Sequence, residues 1–414
     1  EIVGVGRGEE EREERGGLGV LEFLRTEKEE KEEEEEGKKK GEVRIRCRVS
    51  EDIMLAERDY EDFLSMLIEN GEVLITSIAG VVKTSEMDFF AKIVMRVFQG
   101  LERDTQLLTR VAGEELSKAD TATLFRGNSL FSKLLDNYMK LEGMDYLHVT
   151  LQPFVQKVLG LKKSYELDPT RLDKKDDACK NLTGLIGLLD ECLALILNSI
   201  ACFPPKLKKI FSFLKRKTIP IAEKEKDINL SYISVSCFIF LRFFVPSVLG
   251  PSLFGMTKTL PNNIAERNLT LIAKTLQTLA NFCEFGEKES YMIPLNTWIG
   301  ENTAKLRLFL DAISSDQSGE LDSDVDGRQC IYFDIKNTAK LCSLISAVAP
   351  TLQQLCDEKE EGKDDDPSKS PCFCPLPTNE VKKLLEITEE IRQKGEKFKE
   401  KDKEIVKKTF VVVK

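Results

Sequence analysis

Histidine is nearly missing from this chain. His148 is the only one among 414 residues, which excludes a Cys2His2 zinc site and leaves histidine-dependent triads a single candidate with no nucleophile context. No GxxxxGK[ST] loop is present, so the chain has no P-loop of its own. The GVGRG at residues 4–8 lacks both a preceding strand and the lysine of a phosphate cradle. No run of eighteen apolar residues occurs, so no membrane span is expected. The charged opening EIVGVGRGEEEREER has no signal-peptide pattern. It begins on Glu1 rather than methionine, as a fragment or a translated gene model would. A basic excess is also absent: the net charge of −10 is the reverse of what a nucleic-acid binder carries. Carboxylates are abundant, but none sits beside a histidine or in an apolar setting that would tune a general acid, so a self-contained hydrolase site has no support.

What is present is enough for a substantial core, with 41% apolar residues. The eleven cysteines are odd in number and irregularly spaced, and most fall inside apolar helical patterns, as buried reduced thiols do. Cys372 and Cys374, in SPCFCP, read as loop rather than metal site. Residues 1–42 are a low-complexity charged tail containing EKEEKEEEEEGKKKG, which cannot bury apolar area. Residues 43–50 alternate as Val43, Ile45, Cys47 and Val49 and read as one strand, the remnant of a preceding β domain. Residues 51–356 are helical almost throughout, with stripes such as Leu185, Ile186, Leu189 and Leu193 at spacings of three and four. Residues 357–377 form an acidic, proline-bounded linker, and 378–414 a long charged helix whose apolar stripe fades after Ile391, which favours docking over a coiled coil. The fold class expected is all-α: one large helical domain with these appendages.

One motif imitates a site and fails. DSDVDG at 322–327 fits the opening of a calcium loop, but the twelfth position, which needs a bidentate glutamate, is Phe333. Two arginines carry more. Arg126 stands in TLFRGNSL, before Gly127 and just ahead of a helix that starts near Leu130 with Asn128 or Ser129 as cap. Gly127 is expected to supply a backbone shape that a β-carbon would forbid. Locally, Arg126 reads either as an idle exposed cation or as one displayed on a rigid loop, where it could meet a developing negative charge. Arg242 lies in the middle of the apolar helix SVSCFIFLRFFVPSVLGPSLFG, residues 234–255. It reads either as a snorkelling surface arginine or as a fork bracing a loop.

At these residues the chain resembles the catalytic domain of neurofibromin-like Ras GTPase-activating proteins. The resemblance rests on TLFRGNSL (123–130), YELDP (165–169), FLRFFVPSVLGP (240–251) and AERNLTLIAKTLQTLANFCEFGEKESYMIPLN (265–296), in that order. It covers roughly residues 50–315 and extends toward 395. It implies an all-helical domain that stimulates GTP hydrolysis by a Ras-type small GTPase in its GTP-bound form, as a negative regulator of Ras signalling. Arg126 matches the arginine finger inserted in trans, and Arg242 the arginine that supports the finger loop. Leu241, Lys274, Gln277, Asn281, Lys288 and Glu289 match positions lining the groove for the GTPase. The resemblance implies no cofactor or metal of the domain's own, since GTP and Mg²⁺ belong to the partner. It implies a cytoplasmic protein, recruited to the inner face of the plasma membrane through a truncated module. Val245 and Ser247 depart from the family's usual residues beside Pro246. The alternative is a non-catalytic scaffold that binds a small GTPase through the same groove.

Overall fold

The computed structural model describes residues 54–118, 127–172, 177–315, 334–360 and 378–409. Arg126, the strand expected at 43–50, the DSDVDG loop, and Cys372 and Cys374 lie outside the described residues. Within them the fold is all-α, as expected. Its helices are α1 (Glu61–Ala79), α2 (Met87–Gly100), α3 (Asp104–Lys118), α4 (Leu130–Leu159), α5 (Ala178–Asn198), α6 (Pro205–Glu225), α7 (Asn229–Phe238), α8 (Val245–Leu249), α9 (Asn263–Ala280), α10 (Asn296–Ile313), α11 (Ile335–Glu360) and α12 (Thr378–Thr409). The last packs on α11 and α1, burying Val381, Leu384, Leu385 and Ile391.

Apolar stripes at spacings of three and four give each helix a buried face. In α2, Phe90, Ile93, Val94, Val97 and Phe98 are buried, whereas Phe89 is exposed. Two segments, Ala178–Cys202 and Asn229–Leu249, prove long and apolar enough by composition to cross a membrane. Here each turns a buried face to the core, through Leu185, Leu189 and Cys192 in the first and Val235, Phe238 and Phe240 in the second.

The apolar helix expected across 234–255 is not one regular helix. Its central residues, Ile239–Phe244, wind as a π-helix between α7 and α8. Such wide turns occur frequently at functional positions. Ile239, Phe240, Phe243 and Phe244 point inward and are buried, while Leu241 and Arg242 are left half-exposed. Phe240 meets Phe244 edge-on at 5.3 Å and Phe309 at 6.2 Å. Gly143 of α4 makes room for the Phe243 ring; a β-carbon there would lie 2.9 Å from Cζ. The segment carrying Arg242 is therefore held rigidly against α4 and α10. The two departures in sequence cause no defect: Val245 is buried, and the buried Ser247 hydroxyl donates to the Phe244 carbonyl at 2.7 Å.

Candidate functional site

Gly127, three residues before α4, is held by two neighbours. Ser129 caps α4, its Oγ accepting from the Ser132 amide at 3.1 Å, and Ser132 Oγ donates to the Gly127 carbonyl at 3.0 Å. From the π-helix, Arg242 Nη2 donates to the same Gly127 carbonyl at 2.8 Å. Of the two local readings of Arg242, the fork bracing a loop is the one realised. The guanidinium also lies over the Phe238 ring, 5.7 Å from its centroid, which holds the fork in place. Glu115 of α3 completes the base: burial pushes its carboxyl up from the ordinary value, against a hydrogen bond with Ser129 and the positive charge of Arg242.

Gly127 corrects one expectation. It adopts no left-handed backbone, and a β-carbon at this position would meet nothing within 4 Å among the described residues. What the loop uses is its carbonyl oxygen, which accepts from both Arg242 and Ser132.

Next to Arg242, Leu241 forms one wall of a concavity of about 480 Å³, closed by the C-terminal end of α9 and the segment after it. Of the residues named from sequence, Leu241, Gln277, Asn281, Lys288 and Glu289 line it. Lys274 lies one turn before Gln277 on α9 and forms an ion pair with Glu289. The spacing 274, 277, 281 is what one helical face requires. Lining residues that the sequence reading missed are Thr278, Cys283, Glu284, Phe285 and Gly286. Thr278, four residues after Lys274, was within reach of the same periodicity. The others depend on how the chain turns after α9. Phe282 takes a left-handed conformation, φ 55°, and Asn296 clasps the loop by accepting from the Phe285 amide at 2.8 Å and donating to its carbonyl at 3.0 Å. Ser236 of α7 donates to the Ala280 carbonyl at 2.7 Å, fixing the end of α9 against the helix that leads to Leu241.

The opposite end of α9 carries a second polar centre, which sequence reasoning matched as a motif but did not explain. Arg267 donates through Nε to Glu166 Oε2 at 2.7 Å and through Nη2 to Oε1 at 2.8 Å. The amides of Leu167 and Asp168 donate to the same Oε1 at 3.0 and 2.9 Å. Burial opposes ionisation of Glu166, but the Arg267 fork and the two amides outweigh it and hold its carboxyl below the ordinary value. Asn268 accepts from the Tyr165 amide and donates to the Lys163 carbonyl, both at 2.9 Å, and Asn181 of α5 donates to the Glu166 carbonyl at 3.0 Å. Gly184 of α5 accommodates the Tyr165 ring, which a β-carbon would strike. YELDP and AERN are thus two halves of one clamp that fastens α9 to α5.

The fold and the site together define an all-helical domain in which Arg242 braces the Gly127 carbonyl beside a polar groove. The chain is a member of the RasGAP family: residues 107–182 and 172–281 match the model of the GTPase-activator protein for Ras-like GTPase. Curated relatives agree. The chain is 35% identical over 279 residues to "Probable Ras GTPase-activating-like protein ngap" of Dictyostelium discoideum, covering 67% of this chain and 31% of that protein. It is 30% identical over 365 residues to "Ras GTPase-activating protein 1" of Homo sapiens, covering 87% and 33%. With "Ras GTPase-activating protein gap-2" of Caenorhabditis elegans it shares 32% identity over 320 residues, covering 75% and 26%. The chain therefore spans about a third or less of the length of these relatives.

Proposed function

We propose that this domain stimulates GTP hydrolysis by a Ras-type small GTPase in its GTP-bound form, supplying Arg126 in trans as an arginine finger. The observation that carries the reading is the 2.8 Å bond from Arg242 to the Gly127 carbonyl, because Gly127 is the residue next to Arg126. A cation can stabilise charge developing on a transferring phosphoryl group only if its loop is already ordered when the reaction begins. Arg242 and Ser132 hold the Gly127 carbonyl, and the Ser129 cap fixes the start of α4 two residues on; a guanidinium suits the role through its fixed fork of donors. The groove lined by Leu241, Gln277, Asn281, Lys288 and Glu289 adjoins the same arginine. It offers amide, ammonium and carboxylate groups to the partner's surface.

On this reading the domain binds no cofactor of its own. The nucleotide and Mg²⁺ arrive with the partner, and this chain adds one positive charge where the γ-phosphate electrons gather. In Ras the arginine supplied by an activator raises turnover by about 10³–10⁵-fold. The protein then acts as a negative regulator of Ras signalling in the cytoplasm, at the inner face of the plasma membrane. The scaffold alternative uses the same groove without acceleration. The deciding experiment is single-turnover phosphate release from a panel of GTP-loaded Ras and Rap proteins, with a parallel pull-down. Stimulation that disappears in Arg126→Ala while binding persists is the expected result. Binding without stimulation by the unaltered chain would leave the scaffold.

A further inference from the structure

The groove face accounts for one side of the molecule. The helix α6 presents a different surface. Between residues 206 and 217 it carries Lys206, Lys208, Lys209, Lys215, Arg216 and Lys217 with no carboxylate among them, in a chain whose net charge is −10. Its core face is made by Leu207, Ile210, Phe211, Leu214 and Thr218. On the opposite side, Lys209, Phe213, Arg216 and Pro220 recur at spacings of four, three and four, so they line up as one stripe along the helix.

Lys209 is engaged within the fold, and two further cations are paired with carboxylates there. Lys206 pairs with Asp104 and Glu142, and Lys215 pairs with Asp311 of α10. Lys208, Arg216 and Lys217 form no ion pair with a carboxylate among the described residues. Arg216 and Lys217 are exposed, and Lys217 Nζ lies 5.7 Å from the centroid of the Phe213 ring. Aliphatic side chains are exposed around the same hairpin. Ile219 of α6 is 41% exposed, and Ile228, in the turn to α7, is 67% exposed. Leu308 of α10 is 69% exposed; it follows Arg307, whose Nη2 donates to Asn229 beside Ile228 at 2.8 Å.

We propose that the outward face of α6, with the α6–α7 turn, docks on an anionic lipid membrane. The cations between residues 206 and 217 suit acidic headgroups, whereas the turn carries exposed Glu223, Glu225 and Asp227 beside Lys224 and Lys226 and contributes through Ile228. The aliphatic side chains at the edge suit the boundary between headgroups and acyl chains. A surface built for single-stranded nucleic acid would interleave its cations with exposed aromatic platforms for stacking, whereas Phe213 in this stripe is half-buried against the core and the large apolar side chains exposed here are Ile219, Ile228 and Leu308. A wholly polar acidic surface would satisfy the cations but give those aliphatic groups no apolar phase to enter. Each cation held near an anionic leaflet strengthens partitioning about five-fold, and the attraction is screened by salt.

The test is flotation of the full chain with phosphatidylcholine vesicles, with and without phosphatidylserine, over a series of salt concentrations. No GTPase is present, so the outcome is independent of the activity proposed above. Binding is expected to the serine-containing vesicles and to weaken with salt. Neutralising two cations, as R216Q/K217Q, is expected to lower the partition coefficient about 25-fold, and R216E/K217E further. Ile228→Ser with Leu308→Ser is expected to lower it several-fold while leaving the salt dependence unchanged. Thermal unfolding of each variant checks that the fold is kept. Equal binding to vesicles lacking phosphatidylserine would overturn the proposal, as would retention by R216Q/K217Q or capture by RNA in place of vesicles.

Discussion

The two ends of α9 hold opposite solutions to the same problem of placing charged groups in a helical fold. At the N-terminal end Arg267 and Glu166 satisfy one another through two bonds, and the backbone amides of Leu167 and Asp168 complete the carboxylate. Little hydrogen-bonding capacity is left over, and Glu166 is buried. About 21 Å along the axis, by the helical rise over fourteen residues, the C-terminal end is open. There Lys274 and Glu289 pair while about a third exposed, and Gln277, Asn281 and Lys288 face a groove. The contrast extends to the two arginines. Arg267 grips a buried carboxylate, which stabilises the fold. Arg242 grips a carbonyl at the edge of a loop, which shapes a surface. Saturated polar groups hold a structure together, and groups with donors and acceptors to spare can recognise something else.

That contrast can be broken by substitutions that separate stability from activity. The largest effect is expected from Arg126→Ala. It should reduce stimulated phosphate release by about 10³–10⁵-fold, which is about 4–7 kcal/mol of barrier, with the melting temperature unchanged. A matching fall in thermal stability would show that Arg126 is part of the scaffold instead. Arg267→Ala should do the reverse. Leaving the buried Glu166 without its partner is expected to cost about 3–5 kcal/mol of folding free energy, read from urea unfolding, with activity lost only as the protein unfolds.

The same clamp predicts a pH dependence. The folded-state pKa of Glu166 is lowered, so its contribution is complete above the unfolded carboxyl pKa of about 4.3. It disappears as the pH falls through that value toward the lower folded one, because the unfolded chain takes up the proton first. Unfolding free energies measured between pH 6 and 3 should therefore fall less steeply in Glu166→Gln than in the unaltered chain. An identical slope would show that the carboxylate gains nothing from its partners.

Arg242→Ala should sit between the two classes. Losing a charge-assisted bond to the Gly127 carbonyl is expected to cost about 1.5–3 kcal/mol, seen mainly as a lower rate of GTP hydrolysis with only a small shift in melting temperature. A shift as large as that of Arg267→Ala would remove the distinction between the arginines. The smallest effect is expected for Ser129→Ala. Removing the α4 cap should lower stability by about 1 kcal/mol, and the Glu115 carboxyl loses a hydrogen-bonding partner at the base of the loop.

Much of this was legible from residue order. Periodic apolar stripes announced the helices, the α4 cap was narrowed to Asn128 or Ser129, of which Ser129 is the one used, and the motifs containing Arg126, Arg242 and Lys274 pointed to one family. Other features were not legible, for separate reasons. A π-turn at Ile239–Phe244 leaves no mark in a uniformly apolar run, since periodicity reports a buried face and not the winding of the backbone. Gly127 looked like a conformational device because glycine usually is one, and only coordinates reveal that its carbonyl is the part used. The Glu166–Arg267 clamp joins residues a hundred positions apart, and nothing local distinguishes that glutamate from the many others in an acidic chain.

Composition and patterning by themselves determined that this is an all-helical domain, because burial of apolar stripes depends on residue type and spacing alone. Tertiary structure decided which polar groups are spent on one another and which are left facing outward. Pairing depends on where distant helices cross. Only the packing of α4, α7 and α9 brings Arg242 to the Gly127 carbonyl and opens the groove beside it.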